Sequence, residues 1–238
     1  ISACLVGSEM CIRDSPKGQA YAAKYADAVF TLGESKEIAQ SNYDSIKAQA
    51  KAFGRNPNEV KVYPILAPII GETENEVESR FEEIKSLANI DEALDYLGRY
   101  YDHHDFSQYD LDAPFPELGE VGQNSFRATA DAIAARAKEH QLTLREVALE
   151  ETVRRSPFMG TYEKVADLII EWFEDGAADG FIFGPHIYGA VYDEFINHVL
   201  PILEQKGYYT QEYQGDTLRD HIGIPFKENR YSQSHVTQ

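Results

Sequence analysis

Ser15-Pro16-Lys17-Gly18 brings together a hydroxyl, a helix-starting proline, a cation and a glycine. Serine at a helix start can cap free backbone N–H groups, and proline in the first helical position gives up no needed donor. The same geometry suits an anion, because a helix N-terminus carries partial positive charge and outward N–H groups. Ser15 and Gly18 are therefore candidates to hold a phosphate group, with Lys17 adding charge beside it. Such short sequences also cap ordinary helices, and from these four residues that alternative stays open. Gly160-Thr161 is a second candidate of the same kind with the same alternative.

His186 follows the apolar run DGFIFGP, Asp179 to Pro185. If that run is a parallel strand, His186 stands at its carboxyl end, where α/β folds bind ligands. It is a candidate substrate-pocket residue; a solvated loop histidine is the alternative. His103, His104 and Asp105 lack the spacing of a metal-ligand set, and their reading is a loop facing water, with no metal. The acidic stretch from Glu72 to Glu120 reads as a solvated surface. No Ser-His-Asp spacing, phosphate-binding glycine loop or cysteine pair supplies a mechanism, so no catalytic residue is assigned.

The elements that must position these residues alternate between helix and strand. A helix starts at Ser15, a short strand covers Asp27 to Leu32, and a second helix runs from Ser35 to Gly54. Val60 to Ile70 reads as one buried strand, unusual for containing Pro64 and Pro68. A helix follows from Thr73. Residues 103–119 form an irregular excursion, and two helices are expected at Ser125 to Glu139 and Thr143 to Arg154. A helix opening at Gly160-Thr161 leads to the strand Asp179 to Pro185. A last helix, Tyr192 to Gln205, should bend at Pro201. Three doubly buried strands separated by helices predict a parallel α/β sheet or part of a barrel, with the helices outside.

Charge and composition narrow the partners. Forty acidic residues against 22 basic leave a net charge of -18, which disfavours nucleic acid and anionic lipid. No apolar run approaches the roughly 18 residues of a membrane span. Two cysteines in 238 residues favour a reducing compartment, and the expectation is a cytoplasmic protein. Residues 1–14, ISACLVGSEMCIRD, resemble a translated adapter peptide joined to a genuine chain near Asp14 or Ser15. On that reading Cys4 and Cys11 carry no functional information and the native chain extends upstream. An amino-terminal strand at Ala3 to Val6 is the alternative. Residues 15–224 are expected to form one domain with a helical insertion near 100–158, and residues 225–238 a loose tail.

Four segments carry a resemblance. They are SPKGQAYAAKYADAVFT (Ser15 to Thr31), YDLDAPFPEL (Tyr109 to Leu118), GTYEKVADLIIEWFEDGAADGFIFGP (Gly160 to Pro185) and VLPILEQKGYYTQEYQGDTLRDHIGI (Val199 to Ile224). In this order they resemble the carboxyl half of the flavin-dependent monooxygenases of the bacterial-luciferase-like superfamily. The similarity is to the branch holding nitrilotriacetate monooxygenase, the pristinamycin synthase subunit and dibenzothiophene-sulfone monooxygenase. It covers nearly everything after Asp14. It implies a carboxyl-terminal portion, about three β/α units plus a helical insertion, of a (β/α)8 TIM barrel. It also implies FMN, reduced by a separate flavin reductase and used with O2 to oxygenate a small organic substrate, in a full-length form that is a homo-oligomer. Ser15 aligns with the family serine at the flavin phosphate, and Gly18 with the glycine that admits close backbone approach. The family strand ending in Q-A-G, which should precede Ser15, is replaced by CLVGSEMCIRD. The fragment alone is expected to be inactive. A deazaflavin-dependent oxidoreductase of the same superfamily, or a non-catalytic helical interaction module, is the alternative.

Overall fold

A computed structural model describes residues 16–119, 121, 127–213 and 215–226. Ser15, the adapter-like stretch with Cys4 and Cys11, the strand considered at Ala3 to Val6 and residues 227–238 lie outside the described residues. The described residues group into two units, one from residues up to Ile70 and from Tyr162 onward, the other from Gly71 to Thr161.

Helix α1 (Pro16–Tyr25) leads through Ala26 and Asp27 into strand β1 (Ala28–Thr31). Ser35 accepts the Ile38 N–H and caps α2 (Lys36–Ala52). That helix closes at Phe53, followed by Gly54 with φ +76°, a left-handed turn that glycine adopts without cost. The stretch expected as one strand, Val60 to Ile70, is two: β2 (Lys61–Leu66) and β3 (Ile69–Gly71). The interruption falls at Ala67-Pro68, where proline has no N–H to donate and restricts the residue before it. Pro64 nevertheless sits inside β2.

The second unit is helical. Thr73 caps α3 (Glu74–Ser86), and Asn89 caps α4 (Ile90–Gly98), a helix the periodicity had not revealed. Helix α5 (Arg127–His140) precedes α6 (Leu144–Thr152), which Thr143 and Glu146 start with a reciprocal capping box. Its core gathers Ala93, Leu97, Ile133, Leu144 and Val147 around Tyr101 and Phe106. The Glu151 side chain is fully buried and pairs with Arg136 and Arg154. Strand β4 (Met159–Thr161) ends this unit.

The chain then returns to the first unit with α7 (Tyr162–Glu174) and β5 (Ile182–Phe183), shorter than the expected strand. β1 and β5 flank β2, and both pair with it in parallel. Thr31 lies opposite Pro64, and Leu66 opposite Phe183. Val29, Val62 and Leu66 are buried, and Val29 and Val62 pack with Ile46 and Ala50 of α2. Phe30, Tyr63 and Ile65 alternate with them on the other face and are half-buried. Gly180 and Gly184 make room on that face: a Cβ would come to 2.8 Å from the Tyr63 ring or 2.9 Å from the Ile65 side chain.

The expected bend at Pro201 takes a specific form. α8 (Ala190–Glu194) passes into a π-helical turn, Phe195–Val199, before α9 (Leu200–Gln205). The Leu200 N–H reaches back five residues to the Phe195 carbonyl, one residue ahead of the proline that has no N–H to offer. α10 (Leu218–His221) is capped by Thr217. Arg219 donates to Asp27 at 2.8 Å and to the Pro225 carbonyl at 2.9 Å, so the chain near Ile224 is docked beside the start of β1. Among the described residues no helix is long and apolar enough to cross a membrane.

Candidate functional site

The carboxyl edge of the sheet collects the candidate residues of the first unit. α2 begins a few residues after β1 ends, so its first turn lies toward that edge. α1 runs in the same direction as α2. Gln19 near the start of α1 bonds Asn42 and Ser45, while Arg55, just beyond α2, donates to the carbonyls of Ala23 and Ala26 at 2.9 and 2.8 Å. The first turn of α1 therefore also faces the carboxyl edge.

Lys17 is exposed and Gly18 buried in that turn, directly after Ser15. The turn carries no acidic side chain. α2, α3, α4 and α6 each begin with a carboxylate in the first turn, whereas α5 and α9, like α1, have none. Those carboxylates sit where helix charge favours an anion.

His186 lies beyond β5, where the Gly184 N–H still bonds the Leu66 carbonyl at 2.9 Å. It thus shares the sheet edge with α1. The structure leaves its side chain exposed, and partial desolvation holds its pKa below the ordinary 6.5. An aromatic group follows: Phe183 packs on Tyr192 and Phe195 with centroids 4.9 and 4.6 Å apart, and Tyr188 stacks on Tyr192.

Other candidates resolve differently. Gly160 and Thr161 end β4, and Glu163 stands in the first turn of α7. His104 does not simply face water. Its Nε2 lies 2.9 Å from the Tyr109 hydroxyl and its ring meets Phe106 edge-on. The Asp105 carboxylate accepts from the Ser107 N–H and hydroxyl, bonds that lower its pKa. Among the described residues no group of three or more His, Cys, Asp or Glu is placed to hold a metal ion.

Two positioning groups escaped the sequence reading. Gln19 looked like one more polar helix residue, although its place next to Gly18 was a usable signal. Asp179 looked like a strand flank, yet its carboxylate takes the Val62 N–H at 2.9 Å and the Lys47 ammonium at 2.7 Å. It ties the start of β5 to β2 and α2.

Comparison with known proteins bears on the family and the fold. The profile of the family described as luciferase-like monooxygenase matches residues 14–179. Dibenzothiophene-sulfone monooxygenase of Rhodococcus erythropolis is 36% identical over 88% of this chain and 47% of its own length. Nitrilotriacetate monooxygenase component A of Aminobacter aminovorans is 30% identical over 90% of this chain and 48% of its own length. A crystal structure of riboflavin lyase with modified FMN and riboflavin superposes with a TM-score of 0.70 and 28% identity, covering 89% of this chain and 46% of that one. The chain spans about half the length of the curated relatives it matches. Its parallel sheet and outer helices correspond to part of the barrel of these enzymes, and the chain belongs to the luciferase-like monooxygenase family.

Proposed function

We propose that this chain is the carboxyl-side portion of an FMN-dependent monooxygenase that uses reduced FMN from a separate flavin reductase, with O2, to oxygenate a small organic substrate. The observation that carries the reading is the first turn of α1, set at the carboxyl edge of a luciferase-like sheet and free of acidic side chains. Support for the flavin comes from the riboflavin lyase relative, whose structure holds modified FMN. The relative from Aminobacter is one component of its system, in keeping with a separate source of reduced flavin.

In this reading Ser15 and the α1 backbone bind the FMN phosphate, Lys17 adds a positive charge, and Gly18 lets the backbone approach closely. When bound, FMN supplies the redox chemistry with O2, and protein supplies orientation and exclusion of water. Phe30, Tyr63 and Ile65 present an apolar wall on the inner face of the sheet. His186 stands at the sheet edge as a substrate-pocket residue, and desolvation favours its neutral ring.

The test is turnover in the whole protein supplied with chemically reduced FMN. Oxygenation of a small organic sulfur or amine substrate without any pyridine nucleotide supports the reading. Turnover by the purified single component that requires NADH and no added reduced flavin contradicts it.

A further inference from the structure

Asp27 stands between the end of α1 and the start of β1, and two guanidinium groups from distant parts of the chain approach its carboxylate. Arg219 of α10 uses all three of its nitrogens. Nη1 donates to Asp27 Oδ2 at 2.8 Å and Nη2 to Oδ1 at 3.4 Å, while Nε donates to the Pro225 carbonyl at 2.9 Å. Residues 219–225 are thereby folded on themselves and pinned at the amino end of the sheet, where the Lys61 N–H donates to the Asp27 carbonyl at 3.0 Å. Arg55 reaches the same carboxylate from just beyond α2. Its Nη1 holds the carbonyls of Ala23 and Ala26. Its Nη2 is buried and, among the described residues, has no hydrogen-bond acceptor. Asp27 Oδ1 lies 4.0 Å from it, about 1 Å beyond ordinary hydrogen-bond length.

We propose that Asp27 is a carboxylate shared between Arg219 and Arg55, and that this sharing makes the segment Thr217 to Pro225 a releasable strap. A buried donor left without a partner is costly, and a small movement of the Asp27 side chain toward Arg55 removes that cost. The movement is away from Arg219, because Nη2 of each arginine addresses the same oxygen, Oδ1. With the strap docked, Asp27 is bidentate on Arg219 and Arg55 Nη2 goes without. With the strap undocked, Asp27 closes on Arg55, which offsets part of the loss. α10 has only four residues, too few to persist without tertiary support. The strap therefore opens locally while the sheet stays folded. It lies at the amino ends of β1 and β2, away from the carboxyl edge, so its opening is separate from flavin binding.

The test is amide hydrogen exchange in the whole protein, read at Ile222, Gly223 and Ile224, whose N–H groups bond to Leu218, Asp220 and Arg219 within the strap. Val62 of β2 serves as the reference for the sheet. In the wild type the strap should exchange faster than Val62. Arg219→Lys, which cannot span both carboxylate oxygens and Pro225, should speed strap exchange about tenfold and leave Val62 alone. Arg55→Lys keeps a cation for the α1 carbonyls but removes Nη2, so Asp27 loses its alternative partner. Strap exchange should then slow about threefold, even where Tm falls. A merely structural Arg55 gives the opposite sign. Faster or unchanged strap exchange in Arg55→Lys overturns the sharing, and unchanged exchange in Arg219→Lys overturns Arg219 as the pin. A strap that exchanges at the rate of Val62 in the wild type opens only with the whole fold and overturns local release.

Discussion

The Lys47 ammonium and the Asp179 carboxylate meet at 2.7 Å across 132 residues of sequence. Both side chains are largely buried, at 12% and 14% exposure, and neither is left with a single partner. Lys47 also donates to the carbonyls of Val60 and Pro57, at 2.6 and 3.2 Å, and lies over the Tyr43 ring. Asp179 takes the Val62 N–H and the Tyr43 hydroxyl. Burial pulls the Lys47 pKa below its usual value, against the stabilising effect of Asp179. Burial and then the Asp179 charge push Tyr43 up to about 12. This cluster fixes the register of β5 on β2 and hence where the chain emerges at the carboxyl edge.

Asp179→Ala leaves a buried ammonium without its counterion and an unpaired Val62 N–H. The expected loss is about 3 kcal/mol of stability, read as a lower urea midpoint at unchanged slope. A midpoint within experimental scatter of wild type would show that the cluster does not hold the sheet together.

His186 is expected to titrate below 6.5. Desolvation disfavours its charged form, so the folded protein takes up the proton at lower pH than the unfolded chain. Its contribution to stability is therefore present above about pH 6.5 and is lost as pH falls below that value. An NMR titration of the ring checks this, and a midpoint at or above 6.5 contradicts it.

Ser15→Ala should weaken FMN without preventing folding. Loss of a hydrogen bond to a charged phosphate corresponds to roughly 1.5–3 kcal/mol, measurable as a higher Kd by fluorescence quenching. An unchanged Kd in a protein of unchanged Tm would remove Ser15 from the site.

The sequence was most legible where structure is decided locally. Ser35, Thr73 and Thr143 were readable helix starts because a cap needs only its own side chain and an N–H two or three residues on. Asn89 offered the same signal for α4, but Asp91, Glu92 and Asp95 merged it into an acidic run that read as surface. Tertiary contacts were not legible. His104 finds Phe106 and Tyr109 only because the chain turns left-handed at Asp102 and His103, with φ +55° and +61°. The Lys47–Asp179 pair joins distant elements that no local pattern links. At the candidate site, the sequence offered Ser15 to Gly18 as a candidate, whereas the bonds of Gln19 to Asn42 and Ser45 required knowing that α1 and α2 run side by side.

Expressed alone, the 238 residues are expected to show helical signal, a broad thermal transition and no retained FMN. Phe30, Tyr63 and Ile65 are only half-buried on the inner face, and Ile182 is 42% exposed there. Among the described residues β1 and β5 are the outer strands of the sheet, with backbone groups open to association. Binding of an apolar dye should be strong. A sharp transition from a monodisperse monomer that carries FMN through gel filtration contradicts this.

A crystal structure of the whole protein grown with FMN bears most directly on the assignment of the flavin to this half of the chain. The account requires the phosphate at the first turn of α1, within hydrogen-bonding distance of the Ser15 hydroxyl and the backbone beside Gly18, with the flavin ring over the carboxyl edge of β1 and β2. A phosphate bound elsewhere, such as at Gly160-Thr161, or a flavin lying away from that edge, would contradict it.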